Sequence, residues 1–268
     1  MSDPFGPDPW ARLGELTPAR IALGRAGAGL PTRALLAFSL AHARARDAVH
    51  AVLNVEMVEA DIQDSGVFET RLVWSAAPDR TTYLSRPDLG RTLSPESRLF
   101  LSTGQEQGYD LAFVVADGLS AEAVHAHAAG LLAAMTPWIE RGGWRVAPVV
   151  IATQARVALG DEIGHILGAR AVAVLIGERP GLSSPDSLGV YLTFEPCVGR
   201  SDAQRNCISN IRAEGLGYDE AAFKLAWLTG EALRLRLTGV ALKDESDLAR
   251  LPGAALNPRP ALGGERAG

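Results

Sequence analysis

The sequence predicts an α/β protein: a Rossmann-like three-layer sandwich with a mostly parallel sheet, preceded by a small N-terminal helical domain. Short apolar runs without polar alternation occur at residues 111–116, 146–152 and 171–176, as expected for strands that are buried on both faces. Helical segments separate these runs, which is the pattern of parallel strands joined by right-handed crossover connections. The three runs are therefore predicted to be neighbouring strands.

The first 64 residues are predicted to form the helical region. A helix is expected to begin at Thr17, because threonine can cap a helix and a proline follows it. Glycines in the stretch 24–29 should end that helix as a helix–helix turn. A second, alanine-rich amphipathic helix is predicted over residues 32–53. The expected domains are thus 1–64 and 65–268.

The remaining elements follow from the same patterns. Residues 70–76 and 190–194 are expected to be strands, and residues 78–90 a polar loop. Ser120 is expected to cap a helix. Helices are predicted over residues 121–139, 160–167 and 221–237, the last of which closes the chain.

Composition excludes several classes of protein. The 268 residues are 47% hydrophobic, with a formal net charge of -5 and two cysteines, Cys197 and Cys207. That charge argues against a nucleic-acid partner, and two cysteines argue against a disulfide framework. The N-terminus does not resemble a secretory signal, and the apolar runs are shorter than the ~20 residues of a membrane span. A cytoplasmic protein without a membrane partner is expected.

The predicted sheet places three loops along one edge. Ligands of such sheets bind beyond the carboxyl ends of the strands, where residues 117–120, 153–157 and 177–181 would meet. The segment 177–189 is unusual, because a buried strand ends in Glu178 and Arg179 and then in glycine, proline and serine. A ligand site and a structural loop with a solvated charged pair are equally compatible with this pattern.

Other candidate motifs favour structural roles. The glycines at 24–29 follow a helix, so they do not form a dinucleotide fingerprint. His125 and His127 fall within a predicted helix and are expected at its surface, which does not suit a metal site. Asp161 and Glu162 are expected to stabilise the positive end of a helix. No zinc motif or serine-hydrolase elbow is found, so the sequence predicts no catalytic residue and no protein metal site.

Six segments, in order along nearly the whole chain, resemble the ethanolamine ammonia-lyase small subunit family. A single matching motif would be weak evidence for the family, but six motifs in the same order are specific evidence. The segments are TPARIALGR from Thr17, YLSRPDLGR from Tyr83, ADGLS from Ala116, RVALGDEIG from Arg156, GERPG from Gly177 and NCISNI from Asn206.

The resemblance implies a subunit of an adenosylcobalamin-dependent lyase that converts ethanolamine to acetaldehyde and ammonia. In this family the large subunit is a TIM barrel that carries the substrate site, and the small subunit covers the other side of the cofactor. The cofactor keeps its own base on cobalt, so no protein histidine is required. The resemblance thus implies a non-catalytic, cofactor-binding subunit of a hetero-oligomer, in the cytoplasm or within a bacterial microcompartment.

Three family cobalamin contacts match positions of this chain, namely Val157, Glu178 and Cys207. The valine can give apolar contact, and the carboxylate can accept hydrogen bonds from the corrin side-chain amides. Cys207, expected in a polar loop, suits a small polarizable contact. Ala155 stands where members commonly have glycine, which would shift the loop around Val157.

The sequence is compatible with two other functions. A stand-alone α/β small-molecule enzyme could use Asp117 or Glu178, and it would turn over substrate without a partner. A scaffold or shell-interaction protein of a microcompartment would instead keep full cofactor affinity in the complex when Glu178 is replaced.

Overall fold

A computed structural model describes residues 10–249, except residues 18, 22, 26, 65, 66, 104 and 105. The described chain is a mixed α/β structure. Its strands are β1 (Thr70–Trp74), β2 (Leu111–Ala116), β3 (Val149–Thr153), β4 (Ala171–Gly177), β5 (Leu188–Phe194) and β6 (Asn206–Ile211). Its α-helices are α1 (Thr32–His50), α2 (Val55–Gln63), α3 (Arg80–Ser85), α4 (Pro95–Ser102), α5 (Ala121–Gly142), α6 (Leu159–Ile166), α7 (Tyr218–Leu235) and α8 (Ser246–Ala249).

The six strands form one sheet in the order β1-β3-β2-β4-β5-β6. The pairs among β1, β3, β2 and β4 are parallel, whereas β5 and β6 are antiparallel to their neighbours. The predicted mostly parallel sheet is therefore confirmed. The three apolar runs are adjacent as predicted, with β2 between β3 and β4.

The parallel strands are buried on both faces because a hydrophobic cluster lies on each side of the sheet. Successive residues of β2 alternate between the clusters, with Phe113 in the first and Val114 in the second. Helices α2, α5 and α7 contribute side chains to the first cluster, and α4 and α6 contribute to the second. Two-sided burial explains why the strand sequences lack polar alternation.

The helix predicted from Thr17 is wrong. The described residues there are irregular, and the hydroxyl of Thr17 accepts a hydrogen bond from the amide of Ala19 at 3.1 Å. Such local bonding competes with a helix. The next helix also ends earlier than predicted, at His50, because the side chain of Asn54 caps a new helix by accepting from the amide of Met57.

Helices α1 and α2 differ in how they pack. Ala48 is the buried residue of α1, whereas Leu36, Phe38 and other apolar side chains of that helix are exposed. In α2, Val58 and Ile62 are buried in the first cluster beside the sheet. The division of the chain at residue 64 stays a prediction.

Several elements lie where the sequence did not predict them. The predicted polar loop at 78–90 contains α3, whose first turn is capped by the carboxylate of Asp79. Helix α4 begins after the capping serine Ser94, and α8 follows α7, so α7 does not close the chain. Residues 206–211 form β6, so Cys207 lies in a strand and its prediction in a polar loop is wrong.

Candidate functional site

The carboxyl ends of three parallel strands meet at one edge, as predicted. The amide of Leu119, after β2, donates to the carbonyl of Gly177 at the end of β4 at 2.9 Å. The carboxylate of Asp117 accepts hydrogen bonds from the amides of Gln154 and Ala155, after β3, both at 2.9 Å. These bonds hold the three predicted loops in one surface.

Asp117 is buried at this edge of the sheet and bonded to its neighbours there. It is 3% exposed, and burial raises its pKa, against the lowering effect of the backbone amides of Ala155 and Gln154 and of the nearby Arg80. The guanidinium of Arg80 lies 3.5 Å from the carboxylate. A carboxylate with these partners links the end of β2 to the loop after β3.

A tyrosine clamped between two arginines supports the loop after β3. The guanidinium carbons of Arg80 and Arg156 lie 4.8 and 4.7 Å from the centre of the Tyr83 ring. The hydroxyl of Tyr83 donates to the carbonyl of Ala155 at 3.2 Å, and burial raises its pKa to about 12. Gly90 leaves room for this ring, because an added Cβ would lie 2.9 Å from it.

Val157 follows this clamp and leads into α6. It is half-buried and packs against the second cluster, and its carbonyl accepts from the amide of Gly160 at 3.0 Å. Ala155 is fully buried and uses both its amide and its carbonyl in the bonds described above. The alanine is thus accommodated in the loop that orients Val157.

Glu178 is held by one of its two carboxylate oxygens. Oε2 accepts from the hydroxyl of Ser187 at 2.6 Å and from the amide of Asn210 at 3.4 Å. The backbone amide of Glu178 also donates to the carbonyl of Ser187 at 2.9 Å. Oε1 has no hydrogen-bond partner among the described residues and lies above Gly189 of β5. One acceptor oxygen is therefore free on a fixed side chain.

Cys207 lies opposite Tyr191 in the pairing of β5 and β6. The residue is exposed, and its side chain lies beside that of Tyr191, because residues directly opposite each other in an antiparallel pair project to the same face. Although the residue is exposed, partial desolvation of its sulfur beside the sheet raises the pKa of the thiol, Tyr191 lowers it, and the negative charge of Glu178 raises it further. Because the net direction is upward, the sulfur stays a neutral thiol at neutral pH.

The structure brings two of the three predicted contacts together around β5. Glu178 and Cys207 interact electrostatically with each other and with Tyr191. Val157 contacts neither directly in the described bonds, but it and Tyr191 pack against the same cluster. We call Tyr191 and Cys207, with the Glu178 carboxylate that lies above the buried Gly189, the open face.

Sequence reasoning missed Gly189 and Tyr191. In β5 these two residues alternate with Leu188, Val190 and Leu192, which are buried in the first cluster. Alternation of this kind marks a strand with one partly solvated face. This alternation is visible in the sequence, but the strand was predicted to start at residue 190, which left Gly189 outside it.

His127 is not at the helix surface as predicted. It is 5% exposed, and its Nδ1 lies 2.8 Å from the hydroxyl of Tyr218. Its Nε2 lies 3.5 Å from a carboxylate oxygen of Asp186. His125 points elsewhere, since its Nε2 accepts from the amide of Asn54 at 2.8 Å. The two histidines thus join different elements, as their spacing predicts.

The paired acids of α6 lie in its first turn, where they were expected, and they also form ion pairs. Asp161 receives two hydrogen bonds from Arg205, at 2.6 and 2.7 Å. Glu162 accepts from Arg98 at 2.7 Å and from the amide of Leu93 at 2.8 Å. These bonds tie α6 to β6 and to the start of α4.

The described residues contain neither a cluster of metal ligands nor a membrane-spanning helix. Within 10–249 and its stated gaps, no group of three or more histidine, cysteine, aspartate or glutamate residues is arranged to hold a metal ion. In the same part of the chain, no helix has the length and apolar character needed to cross a membrane.

Comparisons with known proteins agree on one family. The model of the ethanolamine ammonia-lyase light chain (EutC) matches residues 7–243. A small subunit of this enzyme from Azotobacter vinelandii is 55% identical over 270 residues, covering 99% of this chain and all of the relative. Those from Xanthomonas campestris pv. campestris and Bradyrhizobium diazoefficiens are 58% and 57% identical, each covering 92% of this chain and, respectively, 92% and 95% of the relative.

Proposed function

The chain belongs to the ethanolamine ammonia-lyase light chain family, and we propose that it forms one side of an adenosylcobalamin site against the enzyme's large subunit. In this proposal Val157, Glu178 and Cys207 contact the cofactor. The reaction is the conversion of ethanolamine to acetaldehyde and ammonia, and this chain is its non-catalytic subunit. The names of the relatives, small subunits of this lyase, support a partner subunit.

The observation that carries the proposal is the free oxygen of Glu178. Its Oε2 is occupied by Ser187 and Asn210, while Oε1 is available above Gly189. The corrin ring is surrounded by side-chain amides, whose N–H groups need acceptors. A carboxylate that is fixed through one oxygen can offer the other at little entropic cost.

The neighbouring residues also fit such a ligand. Cys207 is exposed, small and polarizable, and Tyr191 beside it is half-buried. Val157 adds an apolar side chain on a loop that the Tyr83 clamp holds in place. Bound adenosylcobalamin supplies the radical chemistry, so residues of this chain need only orient the cofactor and exclude water.

The finer structural expectations are part of the same proposal. We infer a Rossmann-like three-layer arrangement of the sheet and its helices, preceded by an N-terminal helical domain over residues 1–64. The two hydrophobic clusters on opposite faces support the three layers. We also propose that the complex resides in the cytoplasm or in a bacterial microcompartment.

Replacement of the glutamate tests the proposed site. In the complex with the large subunit, Glu178→Ala should weaken adenosylcobalamin binding by about 1–3 kcal/mol, because it removes one or two hydrogen bonds to the carboxylate. Titration followed by absorbance gives the dissociation constant. Glu69→Ala is the matched control, since Glu69 is exposed and precedes β1 at the opposite edge of the sheet, and it should leave the affinity unchanged.

Other outcomes would support the competing functions. Wild-type cofactor affinity in the Glu178→Ala complex would favour a scaffold and contradict the proposed contact. Ammonia release from the large subunit, ethanolamine and adenosylcobalamin without this chain would contradict its role as a required subunit. Turnover by the isolated chain would favour a stand-alone enzyme.

A further inference from the structure

Strand β5 lies between two of the proposed cofactor contacts. Glu178 follows β4 on one side of it, and Cys207 belongs to β6 on the other. The two residues therefore depend on the face of β5 that separates them. The residues of that face near them are Gly189 and Tyr191.

Gly189 makes room for the glutamate. A Cβ built at this position would lie 2.7 Å from Oε1 of Glu178, 3.1 Å from its Cγ and 3.2 Å from its Cδ. The backbone of Gly189 does not have a positive φ, so the glycine is required for space and not for an unusual conformation. Any side chain here would displace the carboxylate from its position above the strand.

Tyr191 lies beside Cys207, the second proposed cofactor contact. Its Cα pairs with that of Cys207 in the antiparallel ladder, so the two side chains lie side by side on one face of the sheet. Its own ring packs against the second cluster, and its Cα pairs with that of Val174, a residue of the same cluster. The core thus holds the tyrosine ring in place beside the thiol.

We propose that Gly189 and Tyr191 are positioning residues of the cofactor site, through which β5 orients Glu178 and Cys207 toward one ligand. The inference rests on the proposed function, because it assumes that those two residues contact cobalamin. It adds that their orientation is set by a strand that need not touch the cofactor. Glycine at 189 lets the carboxylate reach across the strand, and tyrosine at 191 fixes the sulfur.

A double-mutant cycle in the complex with the large subunit tests the role of Gly189. The probe is hydroxocobalamin, and the readout is its dissociation constant from absorbance titration. We expect Gly189→Ala to weaken binding about tenfold or more, since it misplaces a charged hydrogen-bond acceptor. Adding Glu178→Ala to that variant should weaken binding by no more than about twofold further, because the two changes remove the same interaction.

The control is Gly217→Ala. Gly217 precedes α7 with an ordinary φ of -68°, and no atom lies within 4 Å of a Cβ added there. Its replacement should leave the dissociation constant unchanged. If Gly189→Ala does not assemble with the large subunit, Ser187→Ala releases the same carboxylate without adding volume, and it should show the same coupling with Glu178→Ala.

The outcomes separate this inference from the proposed function. If Glu178→Ala weakens binding but Gly189→Ala and Ser187→Ala do not, positioning by β5 is overturned and the cofactor contact stands. Fully additive effects of the glycine and glutamate changes would also overturn positioning. If Glu178→Ala has no effect, the proposed contact itself fails.

Tyr191→Phe tests the second half of the proposal with a readout that packing alone does not move. In the full chain carrying Cys197→Ser, Cys207 is the remaining cysteine, and its alkylation can be followed against pH. Because the neighbouring phenol lowers the pKa of the Cys207 thiol, its loss should move the reaction profile to higher pH. An unchanged profile would overturn the role of Tyr191.

Discussion

The parallel and antiparallel parts of the sheet differ in how their faces are covered. In β2 and β4 every residue is buried, because clusters of side chains pack on both faces. In β5 and β6 one face is buried in the first cluster, while the other carries the half-buried Tyr191 and the exposed Cys207. The parallel part is thus covered on both faces by the core, whereas the antiparallel strands leave part of one face accessible, which is where we propose that the cofactor binds.

The two parts are joined by a buried ion pair. Arg205, just before β6, donates to both oxygens of Asp161 in α6 and to the hydroxyl of Thr193 at 3.0 Å. The side chains of Arg205 and Asp161 are each 1% exposed. Since α6 covers the parallel strands, this pair fixes the start of β6 against the scaffold.

Breaking the ion pair between Arg205 and Asp161 should have the largest effect on the stability of the chain. Arg205→Ala leaves the Asp161 carboxylate buried without its cation, and we expect it to lower the free energy of unfolding by about 3–5 kcal/mol. Urea denaturation of the isolated chain measures the change. Arg234→Ala, which removes an exposed pair with Glu231, should change little. Equal stabilities of the two variants would show that the connection between the two parts is not structural.

A cavity in the parallel part of the sheet should lower the stability of the chain without changing its affinity for cobalamin. Ile151 of β3 is fully buried, so Ile151→Ala should cost about 2–5 kcal/mol of folding free energy. In the assembled complex, the Ile151→Ala variant should bind cobalamin with wild-type affinity. The Glu178→Ala variant should instead keep its stability and bind cobalamin more weakly. Val198→Ala is the control for stability, since Val198 is 73% exposed. Loss of affinity in Ile151→Ala would contradict the division into scaffold and surface.

The same division explains which parts of the fold were predictable. Strands β2, β3 and β4 were found because two-sided burial requires uninterrupted apolar sequence. Strand β6 was missed because four of its six residues are polar or cysteine, with sequence NCISNI. The predicted helix at Thr17 failed because local capping signals do not stabilise a short helix without packing.

The candidate site was predictable only in part. Val157, Glu178 and Cys207 were predicted from a family resemblance, whereas the sheet edge at Asp117 followed from strand topology. The roles of Gly189 and Tyr191 depend on strand register, because a shift of one residue would turn both away from the open face. The alternation of apolar residues in β5 shows which of its residues share a face, but it does not identify Glu178 and Cys207 as the neighbours of Gly189 and Tyr191.

The smallest effect concerns the reactivity of an exposed thiol on the open face. In the Cys197→Ser chain, alkylation of Cys207 at neutral pH should be slower than in the same chain unfolded in urea. Partial desolvation beside the sheet raises the pKa of the folded thiol, so less of the reactive thiolate is present at a given pH. The rate in the folded chain should therefore continue to rise at pH values where the unfolded chain has already levelled off. Coincident pH profiles would show that Cys207 is solvated like an unfolded thiol, and that the face of β6 does not shape its chemistry.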